Sequence, residues 1–209
     1  MERGSARGLG ELGPLCHPCP GAIKAVTMPY QPPPELASLD LAQIAEQVAL
    51  RKLPPVEEWN PANEGDSDMR IAADGTWYHD GGKIRRQAMV RAFAGLLTRD
   101  AAGDYWLVTP VQKLSIEVED AAFIATDCRL VDDGIALRLN TDELVIVGPD
   151  HALHAEGARD APAIYCHVRR GCEARLNRST YEQLAQIALG RGDDWTVTSQ
   201  GETYSLLPA

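Results

Sequence analysis

Two groups of residues in this 209-residue chain have the types and spacing that chemistry requires. The first is basic: His167, Arg169, Arg170, Arg175 and Arg178. His167 and Arg169 lie two apart, so a strand places both on one face. Arginine forks match planar phosphate or carboxylate groups in bidentate pairs. A helix starting after Ser179 adds free backbone N–H groups and a positive dipole end. The second group is acidic: Glu117, Glu119 and Asp120. Glu117 and Glu119 share a strand face opposite Ile116 and Val118. Two readings stand side by side. Either these charges are solvated surface, with Glu173, Glu182 and the acidic strand neutralising the arginines, or they frame an anionic ligand.

Other candidate motifs are weaker. Cys16-His17-Pro18-Cys19 is half a zinc site without a second ligand pair. Asp66, Asp68 and Asp74 suggest a calcium loop, but Arg70 fills the third ligand position and no glutamate closes it. His151 and His154 fall in a polar stretch after Gly148-Pro149 that reads as a solvated loop. Cys166 and His167 are adjacent, so a strand points them to opposite faces. Cys128 and Cys172 read as small core residues. There is no G-x-S-x-G elbow, Walker loop or G-x-G-x-x-G. No catalytic set, metal site or cofactor is expected.

The formal net charge is −10, from 30 Asp+Glu against 20 Lys+Arg. That balance argues against general nucleic-acid binding, which needs clustered cations. No apolar run reaches the roughly 18 residues of a membrane span. Five scattered cysteines make no disulfide framework, and no secretory signal is apparent, so a cytoplasmic location is expected. Residues 1–35 hold three acids, three bases, seven of 14 prolines and five of 18 glycines. Such a segment offsets little of its ordering entropy, so 1–35 reads as a disordered tail and Met28 as a candidate start.

The elements that must position these groups follow from periodicity. Ser38 caps a helical pattern carrying Leu39, Leu41, Ile44, Ala45 and Val48, which stops before Pro54-Pro55. Met69–Ile71 and Trp77–His79 form a hairpin around Asp74-Gly75. Arg86–Arg99 reads as a helix with Met89, Val90, Phe93, Leu96 and Leu97 on its apolar face. Strands are predicted at 105–108, 114–118, 123–130, 135–139, 144–147 and 164–169, with a loop from 148 to 162. Ser179 and Glu182 fit a capping box. Trp195–Thr198 and Thr203–Leu206 turn at Gln200-Gly201.

A strand–helix–strand plan recurs. His79 to Trp106 spans 27 positions and His167 to Trp195 spans 28, so the two stretches lie about 88 residues apart. A duplication of this kind predicts an α+β protein of two similar small lobes, each a helix packed on an antiparallel sheet. The division expected is a tail at 1–35, a first lobe with leading helix at 36–106, and a β-rich second lobe at 107–209.

The runs 54–61, 65–71 and 74–78, then 107–120, 148–151 and 167–178, resemble the bacterial domain-of-unknown-function family 1285. The resemblance covers about residues 36–207, with Cys172 where an apolar residue, usually leucine, is expected. It implies a duplicated α+β core whose C-terminal lobe is superficially like a pleckstrin-homology half barrel. It carries no established activity. It implies a role in signal transduction and a nucleotide-like ligand between the lobes, and so draws attention to Asp68 and Arg70, to Lys113, Glu117 and Glu119, and to His167, Arg169 and Arg178. The function expected is a binding protein for a small anionic or nucleotide-like ligand, with Arg169 and Arg178 holding phosphate, His167 donating, and Trp77 either stacking on a base or lying in the core. A protein-interaction module is one alternative. An acid–base hydrolase or transferase using Glu117 or Glu119 with His167 is another.

Overall fold

The computed structural model describes residues 53–132, 134–190, 192 and 195–208. The predicted tail, Met28, the Cys16–Cys19 motif and the helix around 38–48 lie outside them.

The first sheet is built from β1 (Asn63–Ile71), β2 (Trp77–His79), β3 (Gly82–Lys83), β4 (Leu97–Arg99), β5 (Tyr105–Val108) and β6 (Gln112–Val118), with helix α1 (Gln87–Ala94) between β3 and β4. Its strand order is β3-β2-β1-β6-β5-β4. The second sheet uses β7 (Phe123–Val131), β8 (Gly134–Leu139), β9 (Leu144–Ile146), β10 (Leu153–Ala158), β11 (Ala161–Arg169) and β12 (Cys172–Leu176). Its order is β10-β11-β12-β7-β8-β9. Helix α2 (Arg178–Leu189) and the hairpin β13 (Thr196–Ser199) with β14 (Glu202–Ser205) follow.

The two sheets share one topology. Each is two antiparallel meanders joined at the centre by a parallel pair, β1 with β6 and β7 with β12. The lobes are therefore similar and sheet-dominated, and each sheet is mixed rather than purely antiparallel. The repeat runs in a different frame from the one expected. Asn63 to Phe123 and Gln112 to Cys172, the starts of equivalent strands, are each 60 positions apart. The His79–Trp106 and His167–Trp195 match pairs β2 with β11, whereas the topological partner of β2 is β8. That match follows residue types, an aromatic with a histidine two positions on, although Trp77 is buried and Tyr165 only half-buried. The lobes divide between Val118 and Phe123, because β5 and β6 complete the first sheet rather than opening the second.

Local chemistry explains most elements. Asp74 accepts from the Thr76 N–H, and Gly75 turns with φ +78. Asp80-Gly81, Arg170-Gly171 and Gln200-Gly201 each place two successive residues at positive φ, the two-residue hairpin geometry. The helix expected over Arg86–Arg99 ends at Ala94. Gly95 closes it, and Leu97–Arg99 leave as β4. The cap of α2 is Asn177, whose side chain accepts from the Thr180 N–H, rather than Ser179. The stretch 153–158, expected to be loop, is edge strand β10, paired in full register with β11. Its polar, glycine-containing sequence carries little strand signal because only Leu153 is buried and residues 156–158 are exposed, held by backbone hydrogen bonds to β11.

One buried cluster runs through both lobes, from Ile71, Trp77, Leu97 and Ile116 to Phe123, Leu137, Ile164 and Leu184. Among the described residues no helix is long and apolar enough to cross a membrane.

Two adjacent arginines lock the lobes together. Arg169 donates to the Ala94 carbonyl at 2.9 Å, pairs with Glu143 and lies 4.8 Å over the Phe123 ring. Arg170 donates to the carbonyls of Gly95 and Pro54 at 2.9 and 2.7 Å, and its Nε and Nη2 grip Glu57. This hydrogen bond holds the Glu57 carboxyl below its usual range. The last carbonyls of a helix have no intrahelical donors and form its negative end, so cations from the other lobe cap α1. Arg169 and Glu143 are only 11% and 7% exposed. Removing one partner of such a buried pair forfeits its ion-pair and hydrogen-bond energy, at a cost of up to about 3–5 kcal/mol. Arg169→Ala is expected to destabilise by that amount in urea unfolding. Arg178→Ala, at a side chain 93% exposed, is expected to leave the midpoint unchanged.

Candidate functional site

The structure scatters the expected site residues over both lobes and the core. On the first lobe, Arg70 pairs with Glu119 and lies 4.5 Å over the Tyr78 ring. Glu119 also accepts from the Ala73 N–H at 2.9 Å. Asp68 sits at φ +51 in a bulge where β1 skips register against β6. Glu117 is exposed on β6, in register with Arg70. Lys113 lies 3.7 Å over the Trp106 ring and 3.6 Å from Glu64. Trp77 is 1% exposed and stacks on Phe93 at 6.3 Å, so it is a core residue and no base can stack on it.

The basic run divides by function. Arg169 and Arg170 are consumed by the lobe lock, so Arg169 holds no phosphate. Arg178 points to solvent and pairs with Glu182 at 3.0 Å, one helical turn along. His167 donates through Nδ1 to the Asp150 carbonyl at 2.9 Å, the only role open to that nitrogen against a carbonyl.

Arg175 is different. It stands in register with Tyr165, which in turn faces His154, so three strands present Arg175, Tyr165 and His154 side by side. His167 and Glu173 form the next row on the same face. Two residues of the first lobe and its joint reach this face. Asp120 accepts from the Tyr165 hydroxyl at 2.8 Å and pairs with Arg175. Arg99 lies 3.4 Å from Glu173 and 5.2 Å from the Tyr105 ring centre. His154 stacks on Tyr165 at 5.4 Å and lies 3.3 and 3.6 Å from Glu156 and Glu173. Arg175 remains 42% exposed, and among the described residues its Nη1 is the atom that pairs, with Asp120. The seam between the lobes is thus a lattice of part-exposed ion pairs flanked by aromatic rings.

Sequence reasoning did not include Arg99, Tyr105, His154, Tyr165 or Glu173 in the site. A usable signal existed for Tyr165, which alternation along β11 puts on the face of His167. Nothing in sequence brings Arg99 to Glu173, which are 74 residues apart.

Among the described residues no bond joins Glu119 to His167. Glu119 is held by Arg70 and Ala73, and His167 by Asp150. Burial pushes the thiols of Cys128, Cys166 and Cys172 up to about 12, far from the reactive thiolate.

Residues 54–121 match the N-terminal domain of DUF1285, a domain of unknown function, and residues 122–206 match its C-terminal domain. A crystal structure of a DUF1285 family protein from Silicibacter pomeroyi DSS-3 is similar at 34% identity and a TM-score of 0.67, over 82% of this chain and 97% of that one. One from Shewanella baltica OS155 shows 23% identity and a TM-score of 0.47, over 56% of this chain and 90% of that one. No curated protein matches.

Burial pushes the Tyr105 phenol up to about 12, and burial with the Asp120 hydrogen bond does the same for Tyr165. The fold thus favours the neutral phenols over the unfolded chain, whose phenols ionise near pH 10. Their contribution is complete below pH 10 and is lost as pH rises toward 12. Ultraviolet titration is expected to show both phenols ionising late, and Tyr165→Phe to remove one of them.

Proposed function

The chain belongs to the DUF1285 family, and from that premise we propose that it is a ligand-responsive binding protein acting in cytoplasmic signal transduction. Its ligand is a small anion, nucleotide-like in class, held on the seam between the lobes. The observation that carries this reading is Arg175: a guanidinium tied across the lobes through one nitrogen, with its remaining edge open beside Tyr165 and His154.

Each seam residue then has a role. Arg175 offers a fork to a phosphate or carboxylate. Arg99 supplies a second cation from the first lobe, and His167 adds a ring on the same face. The stacked rings of His154 and Tyr165 give the seam an aromatic wall against a planar group. Arg178, two residues past the end of β12, raises the local positive potential. The seam is balanced by Asp120 and Glu173, so binding works by exchange of partners and can be felt by both lobes. The second lobe, with α2 against β7 and the β13–β14 hairpin against β8 and β10, supports a pleckstrin-homology-like half barrel with a helix on its sheet.

A ligand at about a hundred times its Kd stabilises the fold by about 2.7 kcal/mol. Thermal-shift measurement with nucleoside mono-, di- and triphosphates at several millimolar is expected to show a raised Tm with at least one of them. Arg175→Ala is expected to abolish that rise while folding normally. Unchanged melting with every nucleotide overturns the reading.

A further inference from the structure

We infer that Asp120 is a resident competitor for the ligand: its carboxylate occupies the position that an incoming oxyanion takes between Arg175 and Tyr165. The inference rests on the seam reading above and adds how the site is regulated and what group it recognises.

The argument begins with the joint. Two consecutive acids connect the sheets, and each holds a different lobe. Glu119 is bonded to Arg70 and to the Ala73 N–H of the first lobe. Asp120 is bonded to Tyr165 and Arg175 of the second. Ala121 and Ala122 follow, both buried, and lead directly into Phe123 at the centre of the core. The joint is therefore stapled at both ends, and only the Asp120 staple lies on the face that faces ligand.

The donors at Asp120 suit an external anion equally well. One is a phenol hydroxyl and the other a guanidinium nitrogen, a pair that satisfies both oxygens of a carboxylate or two of a phosphate monoester. Asp120 is 17% exposed, while Arg175 is 42% exposed. Solvent thus reaches the arginine more readily than the acid, so an anion can approach the open guanidinium edge first and then replace the carboxylate. Glu156 and Glu173 also face this region, but neither bonds Arg175.

Displacement has a structural consequence. Once Asp120 leaves, the joint stays fastened to the first lobe by Glu119 and is freed from the second. Binding at the seam is converted into loosening of the segment that connects the lobes. A tethered acid also acts at a high effective concentration, so it lowers the affinity of any free anion.

Titration calorimetry with adenosine monophosphate, inorganic phosphate and succinate tests this, using the full chain, Asp120→Asn and Glu117→Gln. Glu117 is an exposed acid near the joint that bonds neither Arg175 nor Tyr165, so it controls for the mere loss of a negative charge. The expected result is about tenfold or more tighter binding of at least one probe by Asp120→Asn, and less than twofold change in Glu117→Gln. Succinate against the two phosphates then tells carboxylate from phosphate recognition. Binding to the unmodified chain that is unchanged or weaker in Asp120→Asn overturns the competitor and leaves the seam site standing. No binding by either protein overturns both. If Asp120→Asn fails to fold, hydrogen exchange on the unmodified chain decides. Faster exchange at Ala121–Phe123 with bound probe supports displacement, and slower or equal exchange overturns it.

Discussion

The carboxyl end of one short helix sets the geometry of this protein. Helix α1 has only eight residues; Gly95 and Leu96 N–H groups take the carbonyls of Arg91, Ala92 and Phe93, and those of Ala94 and Gly95 turn to the other lobe. Arg169 and Arg170, at the end of β11 in the other lobe, donate to them. Because the two arginines are adjacent on a tight turn, their side chains reach Ala94 and Gly95 only if the turn itself is held against β4. The Arg99 N–H donates to the Arg170 carbonyl at 2.9 Å and fixes that approach. Glu143 and Glu57 neutralise the charges so brought in. With the Arg91–Asp142 pair at 3.1 Å and the Asn140 bond to the Gly75 carbonyl, this contact joins the two sheets beside the seam.

Gly75 and Gly171 sit where the backbone of one lobe presses against the other. A side chain at Gly75 would stand 2.7 Å from Ile124 and 2.6 Å from Asn140, and one at Gly171 would stand 2.8 Å from the Arg99 carbonyl. Both positions also need positive φ. The same residues that make tight hairpins in each sheet therefore set the distance between sheets. Asp74-Gly75 is visible in sequence as a turn, but its second role is not, because the partner residues lie more than forty positions away.

That contrast describes what the sequence discloses generally. Alternation in β6, and the turns at Asp74-Gly75 and Gln200-Gly201, are local signals with local causes, and they read correctly. The end of α1 at Gly95 and the existence of β10 depend on tertiary partners and are not readable from periodicity. Duplication is legible as an idea and illegible in frame, since β2 and β11 resemble each other in residue types while β2 and β8 correspond in topology. Among the site residues, the types were informative and the destinations were not. Arg169 and Arg175 belong to one charged run, and only the pairing partners, Glu143 in the core and Asp120 at the joint, separate a structural arginine from an accessible one.

The central parallel pairs bear on how the chain reaches this fold. Within each lobe, every antiparallel contact joins strands that are neighbours in sequence. Only the parallel seam joins the first strand to the sixth, with Asn63 against Gln112 and Phe123 against Ala174. Local hairpins close small loops at low entropic cost, whereas the seam must close one of about fifty residues, and non-local closure of this kind slows folding. The duplicated plan therefore divides the search into four quick meanders and two slow zippings. Since β6 runs into β7 across only four residues, completion of the first zipping delivers Phe123 to the place where the second begins.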